Sequence, residues 1–152
     1  MAIKKSTLYR WAALAVVVVG AYFIMVEVQT RLGEKALAAT GLTSLPLEEA
    51  LARATTDNKL VLADMSAIWC PTCRALDKTI FVDPAVKTAI TEDYVFSRIE
   101  YESPEGRAFM DRYGVDRFPT LLLLHADGEI ARHLPVTTDP AEFLQALTAP
   151  AS

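Results

Sequence analysis

Cysteine is nearly absent from this chain. Its 152 residues include two, Cys70 and Cys73, with two residues between them. A fold with one such pair cannot depend on disulfide staples. Histidine is as scarce, at His125 and His133. A closed zinc site needs four ligands, and these two are spaced wrongly for a finger, so a zinc half-site at the cysteines would lack its other half. No excess of basic residues is present either. The formal net charge is −4, which argues against nucleic acid, since that partner calls for a basic face. Repeats and low-complexity tracts are missing too. The length suits one domain of ordinary size plus something extra.

Charge is missing altogether from Trp11 to Val26, sixteen residues in a row. A bilayer core needs about 20. Leu8, Tyr9 and Val28 extend the run, with Arg10 and Glu27 near enough to its ends to snorkel. Tyr9, Trp11 and Tyr22 suit the two interfaces. Residues 1–28 therefore read as a signal anchor, a membrane helix through residues 8–28. The alternative is a cleaved signal peptide, for which Ala36-Leu37-Ala38 has the small-x-small form. Glu27, Arg31, Glu34 and Lys35 lie between the two, an unusually long and charged cleavage region. Lys4, Lys5 and Arg10 at the N-terminal end keep that end cytoplasmic and put the C-terminal part outside. Residues 29–43 read as a polar helical extension and a linker, and 44–152 as the domain.

Within that domain the pattern alternates between helix and strand. Leu47, Ala50, Leu51 and Ala54 fall on one helical face, and Asp57-Asn58 is a turn. Leu60 to Met65 is a strand. Pro71 opens a helix, and Asp83-Pro84 caps another that turns Val86 and Ile90 inward. Tyr94 to Ile99 is a second strand, completing a βαβ unit. Ser103-Pro104 starts a helix that buries Phe109, Met110 and Tyr113 and ends at Gly114. Thr120 to His125 is a strand, Ala126-Asp127-Gly128 a hairpin turn, and Glu129 to Leu134 the antiparallel return. Asp139 to Glu142 has the form of a capping box before Phe143, Leu144 and Leu147. The periodicity predicts an α/β domain with a central mixed β-sheet flanked by helices.

The two cysteines stand where the first strand passes into a helix. Pro71 at the first helical position makes Cys70 the N-cap, facing free N–H groups and the positive end of the helix dipole. That environment favours thiolate over thiol. Cys73, one turn in, can close a disulfide with it. A structural disulfide stays open as a reading, but so short a loop constrains the unfolded chain least. A redox-active pair fits the strand–Cys-x-x-Cys–helix context. Asp64 is anomalous inside Leu60-Val61-Leu62-Ala63-Asp64-Met65, since buried acids are rare unless paired. Either it faces water on an edge strand, or it is buried with a raised pKa and trades protons near neutral pH.

The stretch Asp64 to Arg74 resembles the active site of the thioredoxin superfamily. Trp69-Cys70-Pro71-Thr72-Cys73 fits its W-C-x-x-C motif, and Asp64 fits its buried aspartate. Phe118-Pro119-Thr120, ahead of Leu121 to Leu124, fits its cis-proline and the strand that follows. Lys78 to Val86 is similar to the C-terminal periplasmic domain of DsbD, the transmembrane thiol–disulfide interchange reductase. Roughly residues 44–148 take part in the resemblance.

The resemblance implies a thioredoxin fold and a protein-disulfide reductase with no cofactor beyond the Cys70–Cys73 pair. Cys70 would attack, Cys73 resolve, and Asp64 serve as base. Trp69, Phe118, Pro119 and Thr120 would contact substrate, with Ile68 beside them, although Trp69 and Phe118 could also be plain packing residues. Arg74 either adds positive potential or is a solvated helix residue. His125 and His133 are expected on exposed strand positions, and Glu92, Asp93, Glu100 and Glu102 on a solvated surface. Partners would be protein thiols and disulfides and a membrane electron donor of the DsbD type. A monomer in a bacterial inner membrane, its domain in the periplasm, is expected. Two other readings stay open. Cys-Pro-Thr-Cys-Arg is similar to the motif of the anchored CcmG thioredoxins of cytochrome c assembly, which however carry an insertion before the cis-proline. A non-enzymatic tethered binding module is the third. Pro135 departs from the family, which usually has glycine there beside the cis-proline loop.

Overall fold

A computed structural model describes residues 5–149. Lys4, one of the basic residues at the N-terminal end, lies outside them, as do residues 150–152 of the expected domain. The element order is α1 (Lys5–Thr40), α2 (Leu47–Asp57), β1 (Leu60–Ser66), α3 (Pro71–Thr79), α4 (Pro84–Asp93), β2 (Tyr94–Glu100), α5 (Pro104–Tyr113), β3 (Thr120–Leu124), β4 (Ile130–Leu134) and α6 (Pro140–Thr148). The sheet has the order β2-β1-β3-β4. β1 and β2 run parallel, while β1–β3 and β3–β4 are antiparallel.

Strand alternation sorts the core into two layers. Val61, Ala63 and Met65 of β1, with Val95 and Ile99 of β2, face α2 and α5. Leu62 and Phe96 face the other way, onto α3, α4 and α6, where Leu76, Phe81, Ile90 and Phe143 close the layer. Each fully buried side chain of this size contributes about 1.5–3 kcal/mol. The same alternation sends Asp64 and Arg98 to the α3 side, the side of the cysteines.

Helix ends follow local chemistry. Asp83 accepts from the N–H groups of Ala85 and Val86, and Ser103 accepts from Gly106. Gly114 closes α5 at φ 63°, a left-handed conformation that glycine adopts without a Cβ penalty. The capping box at α6 forms only in part. Asp139 accepts from Ala141, but Glu142 accepts from the Thr137 hydroxyl (2.6 Å) instead of reaching back to Asp139. β4 begins at Ile130, because Gly128 at φ +84° and a register shift between Leu123 and Leu124 take up the residues before it.

The helical extension expected within 29–43 is present, but one face of it is packed rather than solvated. Helix runs unbroken to Thr40, and only residues 41–46 connect it to α2. Val26, Gln29, Thr30, Gly33, Ala36, Leu37 and Thr40 recur at i, i+3, i+4 and i+7, and all are buried or half-buried. This stripe packs the C-terminal third of α1 against α3. Small residues at Gly33 and Ala36 permit the approach, and the charges at Glu27, Arg31, Glu34 and Lys35 point elsewhere. Upstream, Val16 to Val19 and Tyr22 to Met25 are exposed. By length and composition α1 is able to cross a membrane.

Candidate active site

β1 ends at Ser66, and the chain turns through Ala67, Ile68 and Trp69 into α3. The Cys70 N–H donates to the Ala67 carbonyl (2.9 Å), which tightens that turn. Cys70 is the N-cap of α3 with Pro71 next to it, as the sequence predicts. Its sulfur accepts from the Cys73 N–H at 3.3 Å. An N–H with no partner inside the helix thus points at the sulfur. Both thiols are free and buried, Cys70 at 6% exposure and Cys73 at 1%. The difference sets their order of access: Cys70 lies at the rim and Cys73 behind it.

Burial pushes the Cys73 thiol up to about 12. Its hydrogen bond with Cys70 adds to this, a backbone group of Ala67 opposes it, and the charges of Cys70 and Asp64 raise it further. Cys73 therefore keeps its proton until a base takes it.

Asp64 is wholly buried, which discards the water-facing alternative. It is not the isolated acid its sequence context suggests. Ser66 donates to its Oδ1 at 2.5 Å, and Arg98 Nη1 donates to its Oδ2 at 3.1 Å. The same Nη1 reaches Asp77 Oδ1 at 2.6 Å. One guanidinium, 6% exposed, thus serves two carboxylates that are 0% and 1% exposed. Burial still dominates: both carboxyls are raised above the ordinary range despite the opposing pull of Arg98. Asp77 Oδ2 has no hydrogen-bond partner among the described residues.

The Phe118–Pro119 peptide is cis. Phe118 packs on the Ala67, Cys70 and Cys73 cluster, with Trp69 edge-on at 5.5 Å and Tyr101 at 4.6 Å. Trp69, Phe118 and Thr120 are half-buried and Pro119 is buried. Thr120 donates its hydroxyl to the Arg117 carbonyl (2.7 Å). Residues separated by some fifty positions in sequence therefore meet at one rim around Cys70. β4 ends at Leu134, opposite Leu121, so Pro135 follows beside Thr120 at the start of β3.

Several site residues escaped the sequence reading. Arg98 and Asp77 complete the buried charge group. Arg98, a charge set between Val95 and Ile99 in β2, stands in register with Asp64, and that was the available signal. Glu100 is not a solvated acid: it is half-buried, and its Oε1 accepts from the Ile68 N–H at 3.2 Å, holding the active-site turn. Glu92, Asp93 and Glu102 are exposed, as are His125 and His133. Arg74 is half-buried rather than solvated, and its Nη1 donates to the neutral Gln29 Oε1 on α1 at 2.5 Å.

Comparison with known proteins agrees with this geometry. A family profile described as a thioredoxin-like domain matches residues 47–150. The thiol:disulfide interchange protein DsbD of Pseudomonas fluorescens is 33% identical over 106 residues, 67% of this chain and 18% of that protein. The chain thus spans less than a fifth of the length of that relative. A thioredoxin from Thermus thermophilus superposes with a TM-score of 0.63 at 28% identity, covering 70% of this chain and 84% of that one. The C-terminal domain of Neisseria meningitidis DsbD, in its oxidised form, shares the fold, with a TM-score of 0.55 at 24% identity over 65% of this chain and 88% of that domain.

Proposed function

Since this chain belongs to the thioredoxin-like family, we propose that it is a membrane-anchored thiol–disulfide oxidoreductase that reduces protein disulfides outside the cytoplasm. The observation that carries the proposal is the pairing of an N-capping Cys70, sulfur toward a backbone N–H, with a buried Cys73 behind it. In the first step the Cys70 thiolate attacks one sulfur of a substrate disulfide. A mixed disulfide forms, and the other substrate sulfur leaves as thiolate and takes up a proton. In the second step Cys73 gives its proton to Asp64 and attacks Cys70. The Cys70–substrate S–S bond breaks, the substrate sulfur leaves as thiolate and takes up a proton, and Cys70 and Cys73 are left joined as a disulfide, two electrons having passed to the substrate. Trp69, Phe118, Pro119 and Thr120 form the surface a substrate strand meets.

Direction follows from how the Cys70 thiolate is held. A dithiol is strongly oxidising when its reduced form is specially stabilised, as in DsbA. Thr72, before the second cysteine, carries no charge, and a charged partner is worth roughly twice a neutral one. Pro71 lacks an N–H, and Asp64 adds negative charge nearby. The potential should lie below that of DsbA (about −120 mV) and toward that of thioredoxin (about −270 mV). A donor of this kind needs re-reduction, and a tether through α1 in a bacterial inner membrane keeps it beside a membrane electron carrier. Equilibrating the detergent-solubilised chain with glutathione buffers tests this. With only Cys70 and Cys73 to alkylate, the mass shift reads the dithiol fraction directly. A potential near that of DsbA would make the protein an oxidase.

A further inference from the structure

α1 does more than tether the domain. Its packed stripe meets the active-site turn itself. Gly33 lies so close to Ile68 that a Cβ at that position would collide with the Ile68 carbonyl. Four residues earlier, Gln29 holds Arg74 of α3. Between α1 and the turn opens a cleft of about 530 Å³, walled by Tyr22, Met25 and Val26 on one side and Ile68, Trp69 and Pro71 on the other. The helix has no break between this cleft and the exposed apolar stretch that precedes it.

We infer that the active-site rim at Trp69 and Pro71 docks on the lipid interface of the bilayer that α1 crosses. The inference rests on the anchoring proposed above. Tyr22, Met25 and Val26 belong to the uncharged run that ends at Val26, and the first charges beyond it are the exposed pair Glu27 and Arg31. The cleft continues to Thr30, so it spans about 12 Å along the helix at 1.5 Å per residue. It starts in the hydrocarbon part of the helix and ends in the polar part. Trp69 and Pro71 line this cleft across that boundary, so α1 with Trp11 to Val26 in the membrane core brings them toward the headgroup layer. The layer they reach is thin: headgroups add about 5–8 Å on each side of the core. Tryptophan suits that layer because its ring is apolar and its N–H polar. Lipid is the occupant because the α1 wall of the cleft runs without a polar break into Val18, Val19, Tyr22 and Met25, which are all exposed. Glu102 is the charged residue of its lining. Cys70, between Trp69 and Pro71 in sequence, is then held near the bilayer surface, and the disulfides within reach are those held close to the membrane.

Trp11 and Trp69 are the two tryptophans of the chain, so a Trp11→Phe full-length protein reports on Trp69 alone. It would be reconstituted into phosphatidylcholine vesicles carrying bromine at graded depths along the acyl chain, after flotation shows that it is inserted. Strong loss of Trp69 emission is expected, greatest for bromines nearest the headgroup. Gly33→Leu should drive α1 off Ile68 and abolish the loss while the domain keeps its circular dichroism. A chain that floats with the vesicles but keeps its emission overturns the docking and leaves the anchoring intact; the cleft would then hold solvent or polypeptide. Undiminished quenching in a folded Gly33→Leu chain overturns it as well. A chain that does not float removes both the docking and the anchor. Should Gly33→Leu not fold, the depth profile of the Trp11→Phe chain decides alone.

Discussion

At the scale of single residues the site is governed by the cost of burying charge. Asp64, Asp77 and Arg98 share one pocket, two carboxyls on one guanidinium, and burial raises both carboxyls. Asp64→Asn leaves Arg98 matched by Asp77 alone. The variant should be at least as stable as the parent at neutral pH, since an amide costs less to bury than a carboxylate. It should also release a trapped mixed disulfide more slowly, while forming it at an unchanged rate, because only the second step needs a base. Stopped-flow measurement of the two steps with a model disulfide checks this, and equal slowing of both would remove Asp64 from the proton path. Cys73 makes a separate prediction. Its thiol is raised from 9.0 to about 12 in the folded, reduced protein. The folded state thus holds this proton more tightly than the unfolded one. The resulting stability is complete below pH 9.0 and is lost as pH rises toward about 12. Urea midpoints of the reduced protein should fall across that window, and less so in Cys73→Ser. Parallel curves for the two proteins would show that Cys73 is not the group responsible.

At the scale of elements, caps written locally behave as local chemistry dictates, and caps that need a distant partner do not show in the sequence. Asp83 receives two N–H bonds at the start of α4. Asp83→Ala should cost about 0.5–2 kcal/mol, read from denaturant unfolding, with activity kept because α4 lies away from the cysteines. Pro46 gives α2 no side-chain cap, and Glu105 of α5 accepts from the Leu47 N–H instead (2.7 Å). α1 shows the same contrast. Its charges at Glu27, Arg31, Glu34 and Lys35 make residues 27–43 look solvated, yet the opposite face carries the small residues that seat it on α3. A helix with charges on one side is read correctly only when the other side has a known neighbour.

On the scale of the whole molecule the arrangement has a direction. Lys4, Lys5 and Arg10 precede the apolar run, against Arg31 and Lys35 shortly after it, a bias that predicts that the thioredoxin-like domain lies outside the cytoplasm. Protease added to spheroplasts should digest the domain, whereas protection of the domain would reverse the orientation. A mature N-terminus at Ala39 would mean that the segment is a cleaved signal, and then α1 could not seat on α3 through Gly33.

The sequence by itself determined the α/β pattern, the inward faces of α2, α4, α5 and α6, the N-cap position of Cys70 and the partners expected at its rim. These depend on period, on cap chemistry and on a motif whose parts are short-range or matched by family likeness. Tertiary structure alone decided which buried groups meet. Arg98 is 34 positions from Asp64 and Asp77 is 21 from Arg98, and only the parallel register of β1 with β2, under α3, places them within hydrogen-bond reach. It decided equally that Glu100 braces Ile68 and that Gly33 closes α1 on the active-site turn. Such contacts are set by how layers stack, a long-range outcome of burying apolar surface, and no local pattern of residues encodes the partner.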